Sequence, residues 1–370
     1  MSVGFVFYAY FGYLIILMGI SLLKNHPIKK GDITPSVSFI ITAYNEEKRI
    51  KDKIENTLIQ EYPRDKFEVI VASDCSSDKT EEIVRSYGFK VVKLVRTQER
   101  KGKETAQKHA IDIARGEILI FSDVATILQP DAVFRIVKNF NDATVGCVSS
   151  IDRLVGKEGK ISGEGAYVRY EMFLRGLETK VNSLVGLSGS FFAARKEVCR
   201  DWATDLQSDF NTVINSVKAG LRAVLDHETV GYYANIMDEK NEFARKVRTV
   251  LRGISVLMKN LELLNFFRYG LFSWQLFSHK LCRWLVPFAL AGGLFSNLIL
   301  IAHSRMYLYI FICQCMFYAL AITGTRTTLL SNFKTLKIPS FFVEVNLSIV
   351  NAWYRYLRGE RMASWEPSKR

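Results

Sequence analysis

The chain is 370 residues long, carries a formal net charge of +13 and is 49% hydrophobic, with a slightly positive mean hydropathy. That length holds one large domain or two small ones. So much apolar content with so much positive charge suits a protein seated on an anionic membrane face, and the clustering of basic residues beside uncharged runs argues against nucleic acid as the partner.

Residues 3–23, VGFVFYAYFGYLIILMGISLL, contain no charge and are long enough to span a bilayer. No basic residue precedes them, while Lys24, Lys29 and Lys30 follow. The stretch therefore reads as an uncleaved anchor that leaves the following chain in the cytosol.

From about 35 to 235, short apolar strands alternate with amphipathic helices. Strands fit 37–43, 67–73, 89–95, 117–123 and 144–150; helical patterns fill 46–60, 78–87, 103–114 and 130–140. The near-continuous Val/Ile runs imply strands covered on both faces. The expected fold is an α/β domain with an open, mostly parallel, Rossmann-like sheet, its ligands at the carboxyl ends of the strands.

Over 239–268, Phe243, Val247, Val250, Leu251, Ile254, Leu257, Met258, Leu261 and Leu264 recur at three- and four-residue steps, with Arg245, Lys246, Arg248, Arg252 and Lys259 on the other face. This predicts a basic amphipathic helix, lying on a membrane or packed on the domain core; the apolar runs downstream favour the membrane. Those runs are 285–302 and 306–325, separated by His303, Ser304 and Arg305, so a tight transmembrane hairpin is expected. A fourth run, 338–354, contains Glu344 and has basic residues on both sides, which favours an interfacial or re-entrant segment. Arg283-Trp284 at the membrane entry reads as an interfacial anchor. The expected divisions are an anchor at 1–30, the α/β domain at 31–238, interfacial helices at 239–284, the hairpin at 285–325, and an interfacial segment with a basic tail at 326–370. The six cysteines show no zinc-type spacing, as suits a reduced cytosolic domain.

Three strands end in polar clusters: Tyr44-Asn45-Glu46-Glu47, Asp74-Cys75-Ser76-Ser77-Asp78, and Asp123. Converging on one crevice, they suit a nucleoside diphosphate. Carboxylates accept the protons of a base and ribose. One beside a diphosphate needs a divalent cation, which itself requires only one or two protein carboxylates.

The order of these segments resembles the inverting family-2 glycosyltransferases of the GT-A fold. SFIITAYNEEKRI resembles the opening strand and turn, VIVASDCSSDKT the D-G-S-x-D-x-T segment with Cys75 in the Gly position, and RKGKETAQKHAI the Gly/Lys loop. ILIFSDVATILQPDAV resembles the strand bearing D-x-D, LVGLSGSFFAARKEV the acceptor-side segment, and LQSDFNTVINSVKAGLRAVL the segment holding the catalytic base. The resemblance covers about 36–260 and, with the apolar spans, extends to membrane-bound members that make cell-surface polysaccharides or glycolipids. It implies that Ala43, Tyr44, Glu46 and Asp74 contact the nucleoside, that Lys101 and Lys103 neutralise phosphate, and that Asp123 holds Mg²⁺ or Mn²⁺ and the diphosphate. Asp209 is implied as general base, with Asp205 as its competitor; Asp209 is equally at home as the N-cap of a helix over 210–219. Glu47 and Asp78 read as turn and cap residues.

The sequence departs from the family pattern twice. Ala125 removes the second carboxylate of D-x-D, and the Q-x-x-R-W motif of processive synthases is missing. The resemblance thus implies an inner-membrane, multi-pass transferase with a cytosolic catalytic domain, moving a sugar from a UDP-sugar to a hydroxyl of a lipid-linked or membrane-proximal glycan. Its further partners would be membrane lipids and a polysaccharide assembly complex. The alternatives are a processive synthase or polyprenyl-phosphate sugar transferase, and a non-catalytic nucleotide-binding scaffold.

Overall fold

The computed structural model describes residues 1–155, 166–234, 239–326 and 334–362. The chain divides into two compact units, one formed mainly by Leu17–Met237 and one by the N-terminal sixteen residues with most of the chain after Asp238.

The first unit is built on eight strands: β1 (Val37–Ala43), β2 (Phe67–Ser73), β3 (Val92–Arg96), β4 (Ile118–Asp123), β5 (Ile127–Leu128), β6 (Val145–Val155), β7 (Phe191–Arg195) and β8 (Arg222–Ala234). They form one sheet in the order β3-β2-β1-β4-β7-β6-β8-β5. All seven residues of β1 are buried, as expected of a central strand covered on both faces. Beside it, β2 and β4 run parallel in register, Ala43 opposite Ser73 and Thr42 opposite Asp123. The carboxyl ends of β1, β2 and β4 therefore open on one edge.

The expectation of a mostly parallel sheet holds for the β3-β2-β1-β4 half and for the pairing of β6 with β8. β7 runs antiparallel to both β4 and β6, and β5 antiparallel to β8, so the sheet is mixed. The reversal brings the start of β7 and the carboxyl half of β6 to the edge where β4 ends, with Ser122 opposite Phe191 and Ser149 opposite Phe192.

On one face Phe39, Ile41, Ile54, Val71, Ile120, Val133 and Phe191 share a buried cluster; each such side chain contributes about 1.5–3 kcal/mol on burial. On the other, Phe121 stacks between Phe192 and Trp202, ring centroids 4.8 and 5.0 Å away. The helix Ile50–Leu58 buries Ile50, Lys53, Ile54 and Thr57, so one core position of its apolar face is a lysine. The Lys53 ammonium donates to Ser122 Oγ (2.7 Å) and the Thr126 carbonyl (2.6 Å), tying the helix to both sides of the turn after β4.

In the second unit the helix Glu239–Lys259 ends earlier than the periodicity suggested, and a short turn Leu261–Leu264 follows. Val247, Leu251, Ile254, Val256 and Leu257 are buried in protein, so the apolar face is packed rather than open to lipid. Arg283 and Trp284 are each only 8% exposed, Trp284 abutting Gly253 and accepting from Trp353 Nε1 (3.0 Å). Trp284 is thus a packing residue, correcting the interfacial-anchor expectation. Two stretches, Ser2–Leu23 and Leu271–Leu300, are long and apolar enough to cross a membrane, and Arg305–Ala321 is apolar but shorter. The runs at 285–302 and 306–325 fall in two helices, Arg283–Leu300 and Arg305–Arg326, joined by a four-residue turn, and Asn297 donates to Gln314 (3.3 Å). The run containing Glu344 is one helix, Lys334–Leu357, with Glu344 paired to Lys246 at 3.1 Å.

Burial pushes the Lys53 pKa down to about 7, against the opposing pull of Asp123. The unfolded lysine titrates near 10.4, so between about pH 7 and 10.4 the unfolded chain holds the extra proton and stability rises with pH. Wild type is therefore expected to gain stability over Lys53→Met across that window, by at most about 1.4 kcal/mol per pH unit. Denaturant unfolding of both proteins at several pH values checks this; a constant difference would mean that Lys53 stays charged when buried.

Candidate active site

At the ends of β1 and β2, two turns face each other in left-handed backbone, Asn45 at φ +51° and Cys75 at φ +58°. Outside glycine this conformation costs roughly 1–2 kcal/mol, which explains why a glycine would suit the position of Cys75. The turns are laced together: Asn45 Oδ1 accepts from the Ser77 N–H (2.8 Å), and the Glu46 N–H donates to Thr80 Oγ1 (2.7 Å). Asp78 accepts from the backbone N–H groups of Thr80 and Glu47, and Glu47 from that of Lys79, so both act as turn and cap residues as expected.

Direct nucleoside contact was expected of Ala43, Tyr44, Glu46 and Asp74, and their placements differ. Ala43 is fully buried, its carbonyl accepting from the Asp74 N–H at 2.9 Å. Glu46 is 4% exposed and bound to Arg49 through both carboxylate oxygens, each at 2.8 Å. Asp74 is fully buried and accepts from the N–H groups of Lys101 (2.9 Å) and Gly102 (3.0 and 3.1 Å). Its charge thereby fixes the loop before the helix Lys103–Ile113. Gly102 sits at φ +99°, where a side chain would be strained. Lys101 is exposed, its ammonium 3.4 Å from Glu99, and contributes to this clamp through its backbone alone. Tyr44 is half-buried and carries the Arg100 guanidinium 4.0 Å above its ring, leaving a flat cationic stack at the crevice edge.

The clamped loop delivers Lys103. Its Nζ lies 2.5 Å from Asp123 Oδ1 and 3.0 Å from the Gly189 carbonyl. Asp123 is the one residue of β4 that is not fully buried, and its N–H donates to the Ser190 carbonyl (3.0 Å). Asp209 meets the same segment. A Cβ at Gly189 would fall 2.8 Å from Asp209 Oδ2, so the carboxylate rests on a glycine that leaves it room.

The helix here is Ser208–Lys218 with Gln207 as its N-cap, which places Asp209 in the first turn and corrects the N-cap reading. Its carboxylate accepts from the Phe210 N–H (2.8 Å) and Gln207 Nε2 (3.1 Å), with Phe210 buried beneath. Asp205 is exposed and paired with Lys259, away from this centre.

Around Ser188–Gly189–Ser190 the structure gathers groups not singled out from the sequence. Ser188 Oγ and Ser190 Oγ donate to Asp152 Oδ1 at 2.6 and 2.5 Å. Ser149 Oγ receives the Ser188 N–H (2.8 Å) and Arg175 (2.7 Å), and Arg175 also reaches the Gly186 carbonyl (3.1 Å). Burial lowers the Arg175 pKa against the pull of Asp152, Glu178, Glu171 and Asp209. Lys53, beneath the turn after β4, did leave a signal in the sequence, a charge at a core position of the amphipathic pattern Ile50-Lys53-Ile54-Thr57.

Among the described residues no three side chains of the kind that bind metals form a cage. Asp123 can nonetheless be the single protein ligand of a cation carried in by a diphosphate, since Mg²⁺ bound to phosphates commonly uses one or two carboxylates. The residues present fit that arrangement.

Residues 38–202 match the family described as Glycosyl transferase family 2. The chain is 30% identical over 182 residues to a poly-β-1,6-N-acetyl-D-glucosamine synthase of Staphylococcus epidermidis, covering 46% of the chain and 42% of the relative. It is 28% identical over 196 residues to the synthase of the same name from Staphylococcus aureus strain COL, covering 50% and 46%. The chain thus spans less than half the length of these relatives. In fold it is similar to the mannosyltransferase PcManGT of Pyrobaculum calidifontis, solved with GDP-Man and Mn²⁺, at a TM-score of 0.72 and 23% identity over 97% of this chain and 99% of that one. The mixed sheet with its polar strand ends is accordingly a GT-A-type fold, and residues 38–202 form a family-2 glycosyltransferase domain.

Proposed function

We propose that the chain is a membrane-bound inverting glycosyltransferase that moves a sugar from a UDP-sugar to a hydroxyl of a lipid-linked or membrane-proximal glycan on the cytosolic face. The observation that carries this reading is the gathering of Lys103, Asp123 and Asp209 around one glycine, Gly189. It brings a phosphate-neutralising cation, a candidate metal ligand and a candidate base to one point of the strand-end crevice. The two helices long enough to cross a membrane support the anchored location.

Each group then has a part that its surroundings suit. The Tyr44–Arg100 stack receives the base, and the loop clamped by Asp74 holds Lys103 toward the diphosphate. Asp123 holds the divalent cation, which when bound offsets the negative charge of the departing diphosphate. Asp209 accepts the proton of the acceptor hydroxyl as that oxygen bonds to the anomeric carbon. The bond from that carbon to the diphosphate breaks, and its electron pair leaves with UDP. The Asp209 carboxylate is half-buried and held by Phe210 N–H and Gln207, so it is fixed in place yet reachable. The names of the staphylococcal relatives favour a second reading, a processive synthase; it differs in product length, with a polymer formed instead of one or a few added sugars.

Detergent-purified protein incubated with UDP-, GDP- and TDP-sugars and membrane lipid extract is expected to release UDP from one donor, dependent on Mn²⁺ or Mg²⁺. Asp123→Asn and Asp209→Asn should each lower the rate at least a hundredfold. Nucleotide binding without release from any donor would favour a non-catalytic scaffold. Gly189→Ala is expected to displace Asp209 and slow release at least tenfold with little change in UDP affinity or melting temperature; wild-type turnover in that variant would remove Asp209 from the reacting geometry.

A further inference from the structure

Asp152 stands at the carboxyl end of β6, opposite Gly231 of β8, and is partly exposed. The antiparallel insertion of β7 brings this strand end to the edge where β4 presents Asp123. Its two carboxylate oxygens differ. Oδ1 receives both serine hydroxyls of Ser188–Gly189–Ser190, and those hydroxyls lie 3.0 Å from each other. Oδ2 has no hydrogen-bond partner among the described residues. The side chain is thus locked through one oxygen with the other left to accept. Burial holds the carboxyl above its ordinary range, countered by the two serines and Arg175 and reinforced by the charge of Asp123.

We propose that Asp152 is a carbohydrate-contacting residue, whose Oδ2 accepts a hydrogen bond from a sugar hydroxyl lying between Asp123 and Asp209. A carboxylate repels a diphosphate, so in a nucleotide-sugar site it suits the uncharged, hydroxyl-rich part of the ligand. A role as a metal ligand is disfavoured because Oδ1 is already engaged by two donors. The hydroxyl can belong to the transferred sugar or to the acceptor; both offer the same chemistry. The assignment rests on the glycosyl-transfer reading above.

The test uses the full chain in detergent, as wild type, Asp152→Asn, Asp152→Ala, and the double variant Ser188→Ala with Ser190→Ala. Equilibrium binding of UDP and of the UDP-sugar is measured beside the donor and acceptor KM. UDP affinity should stay within about twofold, since the nucleotide does not touch Asp152. Asp152→Ala should weaken either UDP-sugar binding or the acceptor KM about tenfold or more, as loss of a hydrogen bond to a charged group does. The first result identifies the transferred sugar, the second the acceptor. Asp152→Asn keeps an acceptor atom and should fall between, and freeing Oδ1 in the serine double variant should shift the same constant in the same direction. Unchanged UDP-sugar affinity and unchanged KM values in variants that still bind UDP would overturn the proposal, as would loss of UDP binding, which marks a structural part. If wild type releases no nucleotide from any donor, the transfer reading itself fails, an outcome distinct from an active wild type with indifferent variants.

Discussion

The site depends on a backbone segment that has almost no side chain. Ser188–Gly189–Ser190 enters β7 beside the end of β4, and every charged group proposed for the chemistry is positioned from it. Its carbonyls accept from the Asp123 N–H and from Lys103, and its hydroxyls hold Asp152. Its missing Cβ admits Asp209. The constraint is steric and electrostatic at once: a methyl group at Gly189 would push away one carboxylate, and a shift of the backbone would release the lysine that balances another.

That balance bears on the lost second carboxylate of the D-x-D pattern. Asp123 faces the Lys103 ammonium directly and lies above Lys53, which is held beneath the same turn by Ser122 and Thr126. That carboxylate is already compensated by the Lys103 ammonium, so Ala125 leaves no unbalanced charge in the turn. A cation arriving with a diphosphate would meet one carboxylate and bring its other ligands with it, a mode that hard cations such as Mg²⁺ adopt readily. Asp152 adds negative charge to the same edge, but on the side where the serines hold it toward the uncharged portion of a ligand.

The cluster is precise because it is braced from behind. Trp202 stacks on Phe121 and donates to the Glu104 carbonyl (3.1 Å), while the Glu104 side chain accepts from Ser208 N and Oγ, both at 3.4 Å. The helix that starts at Lys103 and the helix that carries Asp209 are thereby joined through Glu104, with the aromatic stack behind it. The helices of the other unit have a different logic. On the two hairpin helices many apolar residues remain exposed, among them Phe295, Leu298, Ile299, Met306 and Tyr309.

Much of this was legible in the sequence because it depends on local pattern. Val/Ile runs mark β1, β2 and β4 since a strand covered on both faces must be apolar throughout, and the first two uncharged runs fall largely within the two stretches long and apolar enough for a membrane. Asp123 and Asp209 stood out by residue type and by their place in an ordered series of motifs. The rest was decided only in three dimensions. β7 and β8 were both missed, β8 because Asp226, His227, Glu228 and Thr229 interrupt its apolar pattern, and with β7 went the mixed character of the sheet. Glu46 and Asp74 looked like ligand contacts as strand-end carboxylates, yet the fold binds one to Arg49 and the other to two backbone N–H groups. Gly189, Asp152 and Arg175 carry no signal of their own in the chain. Their importance arises when β7 reverses direction and brings residues far apart in sequence within hydrogen-bonding distance, a consequence of long-range packing that local periodicity does not encode.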